Sequence, residues 1–578
     1  MDLYVSLQGD DNSIGSIDKP VKTVQKALDL SRGQSGNRTI HITHGVYENV
    51  SLILDERDSG LRIKGADNAL LSGGISITDW IKCDDGSYCA VLPADISMDF
   101  RLITVNGEMR ERAKYPSEGR LEYKSKFESK WMSTSAGGWD IKPTLEQLTT
   151  MEYDPKDISA DFDWRNADIT VFHKWDDSMS GIKAHQEAEN IFIFLEALTH
   201  PPGGFDTTTY VIWNTKEGMI PGKWRVDRQE RKIYYLPLSD EDITKARIFI
   251  PVQQVIISLT AEIDDLIIDN LSFIATSNPT TPCGFGTCDL PGAINSTAIL
   301  TNSVFKNLRF TGLSGWGINL VANHAFYLRD EETTGNIDVT VKDCEIKNTG
   351  GGGIQFRGNS NCLIEGNIVS QIGRIYYSAV GISANNCDIV NNDLDNLPYS
   401  GIVLGKGRGT LIRGNKINNA INFLNDGAGI YVTFCEQGIM RDNIVTNVSA
   451  KGHQSQRHGL YLDEQANNWV VEGNVTVNCP SALLCHMNYR EGNLLRNNTF
   501  ICHGSEMMVV LIRCKNHQFV NNTFHASKDV VIAGGQGSIS RFDENRLFSV
   551  EGEIKHRYVS DDYVWEEAEV FDGSKPLA

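Results

Sequence analysis

The chain has 578 residues, of which 40% are hydrophobic and 22% are charged, values typical of soluble globular proteins. Its 74 acidic and 54 basic residues give a net charge of −20, which argues against nucleic acid and against anionic membranes as partners. No run of about 18 apolar residues is present, so the sequence predicts no membrane span.

The N-terminus shows no basic and apolar leader before Tyr4. This predicts either a cytoplasmic protein or a secreted or periplasmic one whose leader has been removed, and the sequence leaves localisation and oligomeric state open. The 12 cysteines do not decide between these compartments. Cys83/Cys89 and Cys283/Cys288 have spacings that fit disulfides or free thiols.

In chain order, the first predicted elements are a helix and short β-strands at the N-terminal end of the fold. Residues 20–28 are apolar at helical spacing, which predicts a capping helix. Residues 39–43, 61–65 and 70–75 resemble short β-strands. From about residue 80 to 246 the sequence carries many tryptophans and charged loops, and we interpret this region as an inserted, mostly-β, sandwich-like domain. Short β-strands like those before the insertion are predicted to resume at residues 247–250.

The clearest pattern is a repeated Asn that ends a short apolar strand. Its members are Asn367, Asn392, Asn415, Asn443, Asn474, Asn498 and Asn522, separated by 25, 23, 28, 31, 24 and 24 residues. Each unit also contains a second short strand that begins at a glycine, as at Gly429 and Gly459. This period predicts the coils of a right-handed parallel β-helix, with the inward Asn side chains stacked as a ladder. A sandwich would not repeat Asn at this interval, and a propeller blade needs about 40 residues or more.

The predicted fold class is therefore all-β: a right-handed parallel β-helix interrupted by an inserted domain. The expected organisation is a cap and first coils in residues 1–80, the insertion in 81–246, the main β-helix with the active-site groove in 247–550, and a tail over the last coil in 551–578.

The two longest repeat steps indicate where functional loops enter. Extra residues fall at about 418–428 and 449–458, and these loops lead into strands that carry Asp426 and Asp463. Alternation along the strands predicts that Tyr431, Tyr461 and Asp463 point outward. Neighbouring rungs are about 4.8 Å apart, so two carboxylates could lie on one groove wall, as in glycosidases.

Each candidate also has a structural interpretation. Asp426 lies in an Asn-Asp-Gly turn sequence, Asp463 ends a strand, and Glu464 could be a solvated neighbour of Asp463. Tyr431 and Tyr461 could form a sugar platform or a cross-strand aromatic ladder. The nearby histidines, which include His458 and His486, lack regular ligand spacing, so we predict no metal and no cofactor.

Several motifs resemble carbohydrate-active β-helix enzymes over most of the chain. They are residues 4–12, 19–27 and 44–47 near the N-terminus, residues 105–107, 112–116, 221–228 and 233–237 in the insertion, and the strand pair at 426–431 and 459–464. The insertion is similar to segments of glycoside hydrolase families 120 and 141, and the strand pair looks most like family 141. This sequence has Ala428 where that family usually has Gly.

The resemblance implies a glycoside hydrolase without a cofactor, acting on a plant-type or other complex carbohydrate, with fucosidase- or xylosidase/xylanase-like activity. It implies Asp426 and Asp463 as the catalytic pair, and Glu464 is kept as a third catalytic candidate. Candidate substrate contacts are Tyr431, Tyr461, His458, His486 and Trp316. The alternatives are a polysaccharide lyase or epimerase acting on uronates, which the basic residues Lys406, Arg408 and Arg457 would serve, and a non-catalytic carbohydrate-binding β-helix.

Overall fold

The fold is described from a computed structural model of residues 1–571, except positions 35, 160, 279, 322–334, 449–455 and 504–506. It is a parallel β-helix whose coils contribute one strand to each of three long sheets. The helix Val24–Arg32 covers the first coil and buries Val24, Ala27 and Leu28. The predicted cap and the predicted parallel β-helix are both confirmed.

Within the described residues, the first sheet has 14 parallel strands. They are Asp2–Val5, Arg38–Ile42, Leu61–Gly65, Ile267–Asp269, Val304–Lys306, Thr340–Lys342, Leu363–Glu365, Asp388–Val390, Leu411–Arg413, Ile439–Arg441, Val470–Glu472, Leu494–Arg496, His517–Val520 and Ile539–Asp543. The second sheet has 13 strands in the part of the chain that the structure describes. They are Gly45–Tyr47, Ala69–Ser72, Ser272–Thr276, Arg309–Leu313, Glu345–Lys347, Ile368–Ser370, Asp393–Asp395, Lys416–Asn418, Ile444–Thr446, Val475–Val477, Thr499–Cys502, Thr523–Ala526 and Arg546–Ser549.

The third sheet carries the candidate site. Its principal strands are Leu52–Leu54, Ile257–Leu259, Gly292–Ser296, Trp316–Leu320, Ile354–Ser360, Ile382–Asn385, Ile402–Leu404, Gly427–Val432, Arg457–Leu462, Ser481–His486, Met507–Ile512, Val530–Gly534 and Ile554–Tyr558. Ile263–Asp264, Leu300–Thr301 and Asn336–Ile337 join this sheet at its side, Glu569–Val570 pairs with its last principal strand, and Gly407–Arg408 pairs separately with Cys435–Glu436.

Between the first coils and the main β-helix the strands are antiparallel. Two four-stranded sheets are Glu108–Arg110, Ile103–Val105, Ile248–Pro251 and Gly74–Ile77, and Trp224–Asp227, Lys232–Tyr235, Tyr88–Val91 and Ile81–Lys82. A seven-stranded sheet contains Lys114–Tyr115, Leu121–Glu122, Thr209–Trp213, Asp168–Phe172, Asp177–Gln186, Ile191–Phe194 and Thr150–Glu152. Short helical segments are Glu56–Asp58, Leu145–Thr149, Pro155–Asp157 and Gly204–Asp206. The two four-stranded sheets share one hydrophobic cluster, whereas the seven-stranded sheet has its own.

Two strands differ from the sequence-based expectation. Ile248–Pro251 was predicted to resume the coils, but it pairs antiparallel with Gly74–Ile77. An apolar run has the same appearance in either pairing direction, and the first parallel strand after it is Ile257–Leu259. Near the C-terminus, Ile554–Tyr558 pairs in parallel with Val530–Gly534 and so continues the β-helix into the predicted tail. The domain boundaries themselves stay a prediction.

The repeated asparagines form the predicted ladder inside the coils. From Asn367 to Asn522, each side-chain amide donates to the Oδ1 atom of the next asparagine at 2.9–3.0 Å, and the ladder ends on Asn545. Each amide also donates to a main-chain carbonyl, as Asn443 does to Ile412 at 3.0 Å. These buried amides satisfy turn backbone that would otherwise lack partners.

Replacing Asn443 with Ala is expected to lower the free energy of unfolding by roughly 3 kcal/mol, because Asn443 accepts from Asn415 and donates to Asn474 and Ile412. Denaturant titration of the full chain measures this loss. Asn359→Ala is the control, since Asn359 is exposed and its side chain makes no hydrogen bond within the described residues. Equal destabilisation by both changes would contradict the structural role of the ladder.

The twelve cysteines, all of them among the described residues, are free thiols. The Cys83/Cys89 and Cys283/Cys288 pairs, which the sequence left open, are therefore not disulfides in this structure. No helix among the described residues is long and apolar enough to cross a membrane.

Candidate active site

Three neighbouring strands of the third sheet hold the carboxylate of Asp463. Asp463 directly follows Arg457–Leu462, one rung from Tyr431 and one rung from His486. The Tyr431 hydroxyl donates to Asp463 Oδ2 at 2.6 Å, and His486 Nδ1 lies 2.6 Å from Asp463 Oδ1. Both carboxylate oxygens therefore have a fixed hydrogen-bond partner, and the orientation of the carboxylate is set.

The partners of Asp463 also set its charge. Burial alone would raise the pKa of Asp463, but the hydrogen bond and charge of His486, with the Tyr431 hydroxyl, lower it below its usual 3.8. Burial alone would lower the pKa of His486, but the hydrogen bond to Asp463 and its charge raise that pKa above 6.5. Between these two values the pair consists of a carboxylate and an imidazolium.

Asp426 lies at the start of the preceding strand, Gly427–Val432. Its φ angle of 58° is left-handed, and its carbonyl accepts from the Tyr399 hydroxyl at 2.6 Å. Asp426 Oδ2 lies 3.2 Å from Lys174 Nζ, and the Lys174 carbonyl accepts from the Asn425 amide. The turn interpretation of Asp426 is therefore correct, but the turn also presents the carboxylate to a lysine of the inserted region.

Asp426 and Asp463 approach from opposite ends of two paired strands. The strand ladder is interrupted at Gly429 and Gly459, where a Cβ atom would lie 2.3 Å and 2.8 Å from side chains of the facing coil wall. A residue larger than glycine cannot occupy these positions without displacing that wall.

The charges of both aspartates act on the same groups between them. Burial raises the pKa of Tyr461, and the charges of Asp463 and Asp426 raise it further. Burial lowers the pKa of His458 to about 4, although both aspartates oppose this shift. The two carboxylates thus belong to one electrostatic site, in which His458 is neutral at neutral pH. Of the loop predicted at 449–458, residues 449–455 lie outside the described part of the chain.

Glu464 binds main-chain amides of the insertion. Its Oε1 accepts from the Thr134 amide at 3.1 Å and its Oε2 from the Ser135 amide at 2.9 Å. Only 5% of Glu464 is exposed. Because both oxygens are engaged by main-chain donors, Glu464 anchors the loop 131–139 of the insertion beside Asp463. A catalytic role of Glu464 stays a prediction, and these contacts favour the anchoring role instead.

The two predicted tyrosines are not arranged as a sugar platform. Tyr431 and Tyr461 meet edge to face, with ring centroids 4.9 Å apart and planes at 80°, and both are buried. His458 packs against Tyr461 at 5.0 Å and is only 1% exposed. Tyr431 and Tyr461 point out of the coil as predicted, and Phe285 packs against Tyr431 with ring centroids 5.9 Å apart. They line the base of the site and support Asp463.

Trp316 is not brought to the site. It is fully buried, and its indole donates to the Thr287 carbonyl at 2.9 Å. Three strands of the sheet separate it from Gly427–Val432. Its ring fills the space beneath Gly352, where a Cβ would come within 2.3 Å. Trp316 therefore lies away from Asp426 and Asp463, with its indole held by the Thr287 carbonyl, and a sugar contact at Trp316 stays a prediction.

Sequence reasoning missed the residues that reach the site from distant segments. Lys174 contacts Asp426, and the Tyr563 hydroxyl lies 2.8 Å from His486 Nε2. An aromatic cluster connects the 131–139 loop with the segment that carries Lys174. Its members, joined by ring contacts of 4.3–6.1 Å, are Trp131, Trp139, Trp175, His200 and Phe205. The concentration of tryptophan in the insertion was the one sequence signal that could have indicated this aromatic cluster.

No group of three or more His, Cys, Asp or Glu side chains within the described residues is arranged to hold a metal ion. The absence of a metal or cofactor stays a prediction. Of the basic residues named for a lyase, Arg408 donates to Gln437 and Arg457 donates to Asn425. Arg457 therefore supports the loop that carries Asp426, whereas Arg408 lies on the separate strand Gly407–Arg408.

Comparison with known proteins agrees with the fold. A family model described as a right handed beta helix region matches residues 324–500. The structure is similar to one described as a glycoside hydrolase, with a TM-score of 0.59 and 15% identity over 95% of this chain and 96% of that chain. It is also similar to XylC, solved in complex with xylose, with a TM-score of 0.53 and 14% identity over 95% of this chain and 86% of that chain. No curated protein matches the sequence. The similarity establishes the right-handed β-helix, and membership of family 141 stays a prediction.

Proposed function

We propose that this protein is a glycoside hydrolase that uses Asp463 and Asp426. The observation that carries the proposal is the Asp463 carboxylate, whose two oxygens are engaged by Tyr431 and His486. Its charge acts on the same neighbours, His458 and Tyr461, as the charge of a second aspartate, Asp426. Glycoside hydrolysis needs one carboxylate that acts as nucleophile or base and one carboxylic acid that protonates the leaving oxygen. The names of two proteins of similar fold, a glycoside hydrolase and XylC, support the same class.

The different surroundings of the two aspartates suggest their roles. Asp463 is the ionised member and acts as the nucleophile or as the base that activates water, because its partners favour the charged form. Asp426 supplies the proton to the leaving oxygen. Asp426 Oδ2 contacts the Lys174 ammonium, so the leaving oxygen reaches Asp426 only when the bound substrate displaces or loosens that contact.

The enclosure of the site favours a small substrate or the end of a chain. The side chain of Asp463 is 12% exposed and that of Asp426 is 23% exposed. The 131–139 loop is fastened beside Asp463 through Glu464, and Tyr563 closes over His486. A polysaccharide passing through an open groove would need both of these sides clear, so we propose action on terminal sugars. Xylosides are the first substrates to test, since XylC was solved with xylose.

A panel of aryl glycosides that includes β-D-xyloside and α-L-fucoside tests the reaction class. Hydrolysis predicts release of the free sugar together with the chromophore. A lyase would instead produce an unsaturated uronate, which absorbs in the ultraviolet, from a uronate polymer. Formation of that product, without sugar release from any glycoside or xylan oligomer, would overturn the proposal.

The pH dependence of kcat/KM is expected to be bell-shaped. The rate rises with pH through the pKa of Asp463, which lies below 3.8, because Asp463 reacts in its ionised form. It falls with pH through the pKa of His486, which lies above 6.5, because the imidazolium that orients Asp463 is lost. Rates measured from pH 3 to 10 in wild type and His486→Gln check this assignment. An alkaline limb that persists unchanged in His486→Gln would contradict it.

A further inference from the structure

The last segment of the described chain forms a tight turn over the candidate site. After the strand Ile554–Tyr558, the chain reverses within residues 559–565, and Val559 and Trp565 pair as an antiparallel bridge. Ser560 closes the turn: its Oγ accepts from the amides of Asp562 and Val564, each at 3.2 Å. The turn thus has internal hydrogen bonds that fix its shape.

This turn presents Tyr563 to the site. The φ angle of Tyr563 is 61°, a left-handed value that is costly for an aromatic residue. Arg513 stabilises this conformation, since its guanidinium lies 4.8 Å from the Tyr563 ring centre and its Nε donates to the Asp561 carbonyl at 2.6 Å. A strained residue held from two directions is typical of a functional position.

The Tyr563 hydroxyl completes a chain of hydrogen bonds. It lies 2.8 Å from His486 Nε2, His486 Nδ1 lies 2.6 Å from Asp463 Oδ1, and Tyr431 donates to Asp463 Oδ2. With both ring nitrogens engaged, the imidazole has one orientation in which it can hold Asp463. The charged and titratable groups that act on this imidazole are Asp463, Asp426, Glu464, His458 and Tyr563.

We propose that the C-terminal turn 559–565 is part of the active site and that Tyr563 is a positioning residue, which fixes His486 against Asp463 through its hydroxyl. The catalytic aspect of this inference rests on the proposed function, because it takes Asp463 as a reacting carboxylate. The contact itself has a readout that is independent of activity.

The test follows the titration of His486 by NMR in the full chain labelled at histidine, with the His486 signal assigned by its loss in His486→Gln. A hydrogen bond to the imidazolium favours the charged form more than the corresponding bond to the neutral ring. Tyr563→Phe keeps the ring but removes the hydroxyl, so His486 should titrate at lower pH than in wild type. Tyr558→Phe is the matched control, since the Tyr558 hydroxyl has no partner among the described residues, and it should titrate as wild type. An unchanged titration in Tyr563→Phe overturns the inference.

Steady-state kinetics distinguish a positioning role of Tyr563 from a general structural role. Tyr563→Phe is expected to lower kcat roughly tenfold with little change in KM, and to cause no further loss in a His486→Gln background. A full additional loss in that background would show that Tyr563 does not act through His486. If wild type cleaves no glycoside, the proposed function fails, and the NMR titration alone decides the inference.

Discussion

Asp463→Asn is expected to lower kcat/KM for every hydrolysed glycoside by roughly 10³-fold or more. The amide keeps the size of the side chain and can still accept from Tyr431 or His486, but it carries no negative charge. A neutral group can neither attack the anomeric carbon nor take a proton from water at a useful rate. Steady-state kinetics on the aryl glycoside that wild type cleaves fastest gives the ratio directly.

The control for this change is Asp393→Asn. Asp393 lies on a coil strand, is exposed and makes no side-chain hydrogen bond within the described residues, so its loss should leave kcat/KM unchanged. Thermal unfolding of both variants should show that each is folded at the assay temperature. A folded Asp463→Asn protein with wild-type kinetics would contradict the assignment of Asp463.

Asp426→Asn is expected to lower the rate of hydrolysis most for glycosides whose leaving group must be protonated. For alkyl glycosides, whose leaving oxygen must be protonated, the loss should be roughly 10²–10⁴-fold. For dinitrophenyl glycosides, whose leaving group is stable as an anion, the loss should be about tenfold or less, because only binding and electrostatics change.

The comparison of the two leaving groups distinguishes an acid from a structural turn residue. Asn tolerates the left-handed backbone conformation at position 426, so the turn should survive the change. If both substrates lose activity equally, Asp426 is not the proton donor. The role of Asp426 would then be structural, through its contact with Lys174.

Most of the fold could be predicted because the β-helix repeats one physical solution in every coil. A buried Asn such as Asn443 has to meet its neighbour at the same turn, and this requirement fixes both the period and the register. The errors fall where the repeat is absent. Ile248–Pro251 is apolar enough for a coil strand, and only tertiary pairing decides that it is antiparallel. Ile554–Tyr558 belongs to the coil of Asn545, the last ladder asparagine, which the sequence-based series ending at Asn522 does not include.

For the site, strand alternation predicted only which side chains share one face of the third sheet. Alternation brought Tyr431, Tyr461 and Asp463 to one face, because neighbouring coils repeat in register. Alternation cannot show that Tyr431 and Tyr461 are buried and meet edge to face, or that Glu464 binds the main-chain amides of the 131–139 loop. Lys174 and Tyr563 arrive from segments far away in the sequence, and no local pattern places them there.

The most direct test of the central claim measures sugar release from the aryl glycoside panel by wild type, Asp463→Asn, Asp426→Asn and Asp393→Asn side by side. We expect wild type and Asp393→Asn to hydrolyse at least one glycoside at the same rate. We expect Asp463→Asn to be inactive on all of them and Asp426→Asn to retain activity only where the leaving group needs no proton. Hydrolysis by all four proteins at similar rates would show that the reaction, if catalysed by this protein, occurs at a different site.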